Sequence, residues 1–282
     1  MKKTALLIIL FSLPRLALAF TTTGFANPFG VAIDPASGYI YVSNVNGSLD
    51  AKLDNGYISR LKADGSVEQM RFINGADQGV ELNAPKGMAI IGEQLYVADI
   101  DVLRVFHLGT GRVLTPVKFD SKELKHLYDV FVGPDKQLYV TDAPANTVYR
   151  IDSQMEIQRF IKDDVLGQPR AIAWDPVRQY FLIAGWSSGR MTAYDRAGKR
   201  QQLPSMFLRT LEGVAISSQG EIFVSSSSLR TIYRIDNNFA LYDFKLEQDT
   251  PTGMVYQAKT NSLIVTHFSN NTVVSYPLEN HR

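Results

Sequence analysis

Four polar residues stand 42 positions apart in this chain: Lys86, Tyr128, Arg170 and Glu212. Two cations, a phenol and a carboxylate form a set that can grip a polar ligand with some flat surface, or close on itself as a satisfied charge cluster. As a metal set it is poor, because Lys86 and Arg170 carry charge of the same sign as the metal and leave Glu212 as the one carboxylate ligand. Gly185-Trp186-Ser187-Ser188-Gly189 spells G-x-S-x-G, but a nucleophile elbow needs a strained strand-to-helix turn beside an oxyanion hole. Here the stretch lies between two strand-like segments, a context that rejects Ser187 as a nucleophile. The histidines, at 107, 126, 267 and 281, form no H-E-x-x-H or similar pair. No cysteine is present, which removes thiolate metal sites, a cysteine nucleophile and a disulfide framework.

A constant spacing of functional residues requires a repeated element to carry them, and one unit recurs six times. Each unit has a first strand opening on small residues, a turn, a second apolar strand and a third strand. The first strands open at Gly30, Gly87, Asp129, Ala171, Gly213 and Gly253, spaced by 57, 42, 42, 42 and 40 residues. Second strands begin at Ile40, Leu95, Leu138, Phe181, Ile222 and Leu263, separated from the first by turn residues such as Asp34-Pro35 and Asp175-Pro176. Several short strands per unit, with no helical periodicity, predict an all-β fold, a six-bladed β-propeller. Small residues suit inner strands that converge on one axis. Asp129 and Phe131 break that pattern and mark the third unit as locally different. Five residues follow Pro277, too few for a last strand, so Phe20 to Phe25 are expected to complete the final blade and close the ring.

The first nineteen residues read as a cleaved signal peptide: Lys2 and Lys3, an apolar run from Ala5 to Leu13, and Ala17-Leu18-Ala19 before Phe20. Pro14 and Arg15 cut the run well short of the roughly 20 apolar residues a membrane span needs. The expectation is a periplasmic or secreted protein with one propeller domain over 20–282 and no membrane span after cleavage. Without the leader, 26 basic residues face 28 acidic ones. Such balance argues against a nucleic-acid partner, and 45% apolar residues argue against disorder.

In a propeller, the loop entering each first strand and the loop leaving each second strand open on the same face. One ring at that mouth is therefore Phe29, Lys86, Tyr128, Arg170, Glu212 and Thr252. A second is Asn44, Asp99, Asp142, Gly185, Ser226 and His267, with Trp186 and Phe268 beside it. Together they predict a funnel for a small polar molecule, a peptide or a protein loop; Asp99 and Asp142 serve equally well as turn residues that bind local backbone. The first unit carries an insertion from Val45 to Gly56 that falls over the mouth. It reads as a solvated lid, with Asn46, Asp50, Asp54 and Asn55 as an alternative source of calcium ligands at non-EF-hand spacing.

Units such as Asn27-Pro28-Phe29-Gly30-Val31-Ala32-Ile33-Asp34 and Ala84-Pro85-Lys86-Gly87, each leading to Tyr-Val in the second strand, resemble NHL repeats and the senescence marker protein/gluconolactonase-like propellers. The lactonase resemblance implies a divalent cation held over the channel by a Glu, two Asn and an Asp. Of the six inner-strand positions only Glu212 fits that set, so the resemblance favours a non-catalytic binding propeller with no committed cofactor. The alternative is a lactone or ester hydrolase that holds a cation such as calcium on a rearranged set of Glu212, Asn44, Asp99 and Asp142.

Overall fold

Apolar runs of about five residues, each ended by Gly, Pro, Asp or Asn, are too short for helices and bury well as paired strands. In the computed structural model, which describes residues 19–119, 122, 124–206 and 208–279, they form six four-stranded antiparallel sheets. The inner strands are Pro28–Ile33, Pro85–Ile91, Leu127–Val132, Pro169–Asp175, Leu211–Ile216 and Pro251–Gln257, one for each of blades 1 to 6. Each pairs with a second strand, and in blades 1 to 5 the strands step outward in chain order, whereas the outermost strand of blade 6 comes from the N-terminal side of the chain. Neighbouring inner strands contact one another around the ring, and that of blade 6 returns to that of blade 1. One short 3-10 turn, Asp164–Leu166, is the single helical element among the described residues. None of their helices is long and apolar enough to cross a membrane. Residues 1–18, all but the last of the expected signal peptide at 1–19, lie outside the described residues.

The ring closes as the sequence predicts. Thr21–Thr23 adds to the third strand of blade 6, pairing Thr21 with Val274 and Thr23 with Thr272. Phe25, 5% exposed, anchors this strap among Val31, Ile40, Val42, Leu61, Ile264 and Val273.

The small residues opening the inner strands have a more local cause than crowding at the axis. A Cβ on Gly30 would stand 2.2 Å from the Lys86 carbonyl, so it is the backbone of the next blade that leaves no room. Hydroxyls of the second strands then staple the blades together. Ser43 accepts from the Gly30 amide at 2.8 Å and donates to the Lys86 carbonyl at 2.7 Å. Ser225 repeats this between Gly213 and Thr252. Buried hydroxyls with both roles filled cost little to bury and fix the spacing of the blades.

Candidate functional site

Every inner strand carries a register shift at its mouth end, between Pro28 and Val31, Pro85 and Met88, Leu127 and Asp129, Pro169 and Ala171, Leu211 and Val214, and Pro251 and Met254. A bulge re-aims a side chain out of the sheet. The residues it displaces are those of the first predicted ring.

Five of the predicted residues meet there. The Arg170 guanidinium lies between two rings, its centre 4.6 Å from that of Tyr128 and 4.3 Å from that of Trp186. One terminal nitrogen donates to both oxygens of Glu212, at 2.8 and 2.9 Å, and the other reaches the Tyr128 hydroxyl at 3.4 Å. Ser227 also donates to Glu212, at 2.9 Å. Burial pushes the Glu212 carboxyl up, while Arg170, Ser227 and the Trp186 indole pull it back. Lys86 is fully buried with its ammonium 5.3 Å from the Tyr128 ring, and its one hydrogen bond goes to the Ala84 carbonyl at 3.0 Å. Burial brings the Lys86 ammonium down to about 7, against the pull of Asp99 and Asp50.

Of the other four, three serve the backbone. Asn44 accepts from the Ala26 amide at 3.1 Å. Asp99 accepts from the Asn83 and Ala84 amides at 3.1 and 2.8 Å and from Arg104 at 3.2 Å. Asp142 accepts from the Lys125 and His126 amides at 2.8 and 2.9 Å. Each thus clamps the loop entering the inner strand of its own blade, and all three are fully buried. His267 is buried too; its ring meets Tyr276, with Nε2 3.2 Å from the Tyr276 hydroxyl. Ser187 is exposed between the second and third strands of blade 4, its amide bonded to the Gly167 carbonyl at 2.9 Å, so the G-x-S-x-G stretch is a plain turn.

Sequence reasoning passed over His126, which joins the cluster from the loop entering blade 3. Its ring lies 5.0 Å from that of Tyr128, and Nδ1 is 3.2 Å from Asp50 in the insertion. Burial and the neighbouring Lys86 lower the imidazolium to about 4, so the ring is neutral at physiological pH, and among the described residues its buried Nε2 has no partner. Its position two residues before Tyr128 was the available signal. The insertion is a lid pinned over blades 2 and 3. Asn46 and Asn55 clasp its base through each other's carbonyls at 2.7 and 2.8 Å, Asp50 meets His126, and Lys52 meets Asp101 at 2.6 Å. Leu49 packs near Phe29, Tyr128 and Phe268 beneath it. The remaining space at the mouth is about 40 Å³, room for a few water molecules. Among the described residues no three His, Cys, Asp or Glu side chains converge as a metal site.

The lid contact through Asp50 is exposed and pairs with a neutral ring. Asp50→Ala is therefore expected to change stability by less than about 0.5 kcal/mol. It should nevertheless loosen the lid, which a rise in acrylamide quenching of Trp186 in a Trp174→Phe background will show.

Solved structures place this architecture among known propellers. A gluconolactonase from Xanthomonas campestris superposes with a TM-score of 0.69 at 18% identity, over 94% of this chain and 92% of that one. Virginiamycin B lyase from Staphylococcus aureus superposes with a TM-score of 0.67 at 10% identity, over 93% of this chain and 99% of the lyase. The likeness is one of fold. No family model matches the chain. Among curated proteins, the antigen Lp49 of Leptospira interrogans is 22% identical over 173 residues, 61% of this chain, and the match spans 35% of the antigen's length.

Proposed function

We propose that this protein is a non-catalytic binding propeller, periplasmic or secreted, whose mouth takes a small polar ligand bearing a carboxylate, or a peptide or protein loop that presents one. The observation that carries this reading is an imbalance of hydrogen bonding around Tyr128. The one carboxylate of the inner ring, Glu212, is occupied by Arg170 and Ser227, whereas among the described residues buried Arg170 Nε has no acceptor and Lys86 has a single carbonyl. Buried donors without acceptors are costly, and a ligand that supplies acceptors recovers that cost on binding. Trp186 and Tyr128 offer flat faces beside the same guanidinium. A ligand reaches them by displacing the lid.

Calorimetric titration with a series of small carboxylates and their neutral amides tests this. The acids are expected to bind more tightly than the amides, and Arg170→Gln to lose about tenfold or more in affinity, equal to about 1.4 kcal/mol. Affinity should fall as pH rises through about 7, where Lys86 loses its proton. Acids that bind no better than amides would overturn the reading. So would one tightly held divalent cation together with lactone hydrolysis that Glu212→Gln abolishes, the outcome favoured if the likeness to the gluconolactonase extends from fold to activity.

A further inference from the structure

The channel has a second chamber at the opposite face, and it is unlike the mouth. This cavity of about 420 Å³ is walled by the far halves of the inner strands, with Ile33, Ile90, Val132, Trp174, Ile216 and Tyr256 toward its outer end. Of the described residues that line it, Asp129 carries the one charge. Asp129 also borders the small space beneath the mouth, sharing the constriction between the chambers with Val31, Met88, Val214 and Met254. It stands where blades 1, 2, 5 and 6 have glycine and blade 4 has alanine. Gly87 makes its place possible, since a Cβ there would lie 2.1 Å from Asp129 Oδ1.

The carboxylate is held but not neutralised. Oδ1 accepts from the Val130 amide at 2.9 Å and Oδ2 from the Ile172 amide at 3.0 Å, while the Asp129 amide is tied to Thr141 at 2.9 Å. Among the described residues no Lys, Arg or His pairs with it. Two amides leave lone pairs unused on each oxygen, and an isolated carboxylate in apolar surroundings is costly unless a cation meets it. Burial accordingly raises the carboxyl to about 7. A bare metal ion does not suit the place, because hard cations take six or more oxygen ligands and Asp129 is the one carboxylate among the residues that line the chamber.

We infer that the chamber opposite the mouth is a binding site for a small organic ammonium, with its apolar body in the chamber and its charged head on Asp129. A cavity of this size, with apolar walls and one polar anchor, has the makeup of a small-molecule site. The head group hydrogen-bonds the free lone pairs of the carboxylate, and the body covers the hydrocarbon near Trp174. This site is independent of the mouth and of what binds there.

The two tryptophans of the chain mark the two chambers, so Trp186→Phe leaves Trp174 as a reporter of this one alone. In that variant, fluorescence titration with 2-phenylethylammonium and with its neutral counterpart 2-phenylethanol is the direct test. The ammonium is expected to bind about tenfold or more tightly than the alcohol. In Asp129→Asn that preference should collapse to about twofold or less while the alcohol's own affinity stays the same. Equal affinity of ammonium and alcohol for the parent protein overturns the inference without recourse to the mutant, as does the absence of any Trp174 response. A preference that survives in folded Asp129→Asn overturns the role of the carboxylate.

Discussion

Removing residues 20–25 is expected to lower the melting temperature by 10 °C or more, the largest stability change that follows from this fold. The segment contributes the pairing of Thr21–Thr23 with the third strand of blade 6. It also contributes the bond from the Ser275 amide to the Phe20 carbonyl at 2.9 Å and that from the Thr22 hydroxyl to the Gly65 carbonyl at 2.6 Å. Phe25 is buried in a cluster drawn from blades 1 and 6, and truncating such a phenylalanine alone costs about 3–5 kcal/mol. At about 2–4 °C per kcal/mol for a chain of this size, Phe25→Ala should account for much of the drop. The deletion adds an unpaired edge on blade 6, with aggregation as its symptom. Thermal melts followed by circular dichroism decide the matter. A deleted chain that melts within about 2 °C of the parent would show that the ring does not depend on the strap.

The strap, the blades and the inner ring were legible in the sequence because each is a one-dimensional signal. A period of 42 places Lys86, Tyr128, Arg170 and Glu212 at equivalent points of successive blades, and equivalent points of a closed ring are neighbours in space. Whether a polar residue at the mouth faces a ligand or its own backbone is not such a signal. Asp99 and Asp142 find their partners 15 to 17 residues earlier in the chain, in loops whose shape the pattern of apolar residues does not specify. The same holds for His126, whose ring meets Tyr128 from the loop entering blade 3 and whose Nδ1 meets Asp50 of a lid whose course depends on the Asn46–Asn55 clasp. Asp129 was visible as an exception to the small-residue rule. What it does was not, since its carboxylate crosses to the Ile172 amide 43 residues away, in the next blade.

Lys86→Met is expected to raise stability at neutral pH and, in the same step, to remove carboxylate binding at the mouth. Among the described residues Lys86 has no carboxylate partner in contact; a carbonyl and the face of Tyr128 are what it has in exchange for water. Its ammonium falls from 10.5 to about 7, so the folded state holds this proton less tightly than the unfolded chain does. The cost is therefore fully present below about pH 7, shrinks as pH rises and vanishes above about 10.5. Methionine keeps most of the volume without the charge, and replacing a buried charged group by a packed apolar one commonly gains about 1–4 kcal/mol. The gain over the parent should be largest near about pH 6.5 and should dwindle by about pH 9.5, a dependence that separates relief of a buried charge from better packing. Denaturant unfolding at both pH values measures it. If the variant is instead less stable by the same amount at each pH, Lys86 is a support of the mouth rather than a strained donor. If it is more stable at neutral pH and still binds carboxylates, the site must rest on Arg170 alone. A residue that weakens the fold where it stands, beside a guanidinium whose Nε has no acceptor among the described residues, makes sense as part of a site completed by its ligand.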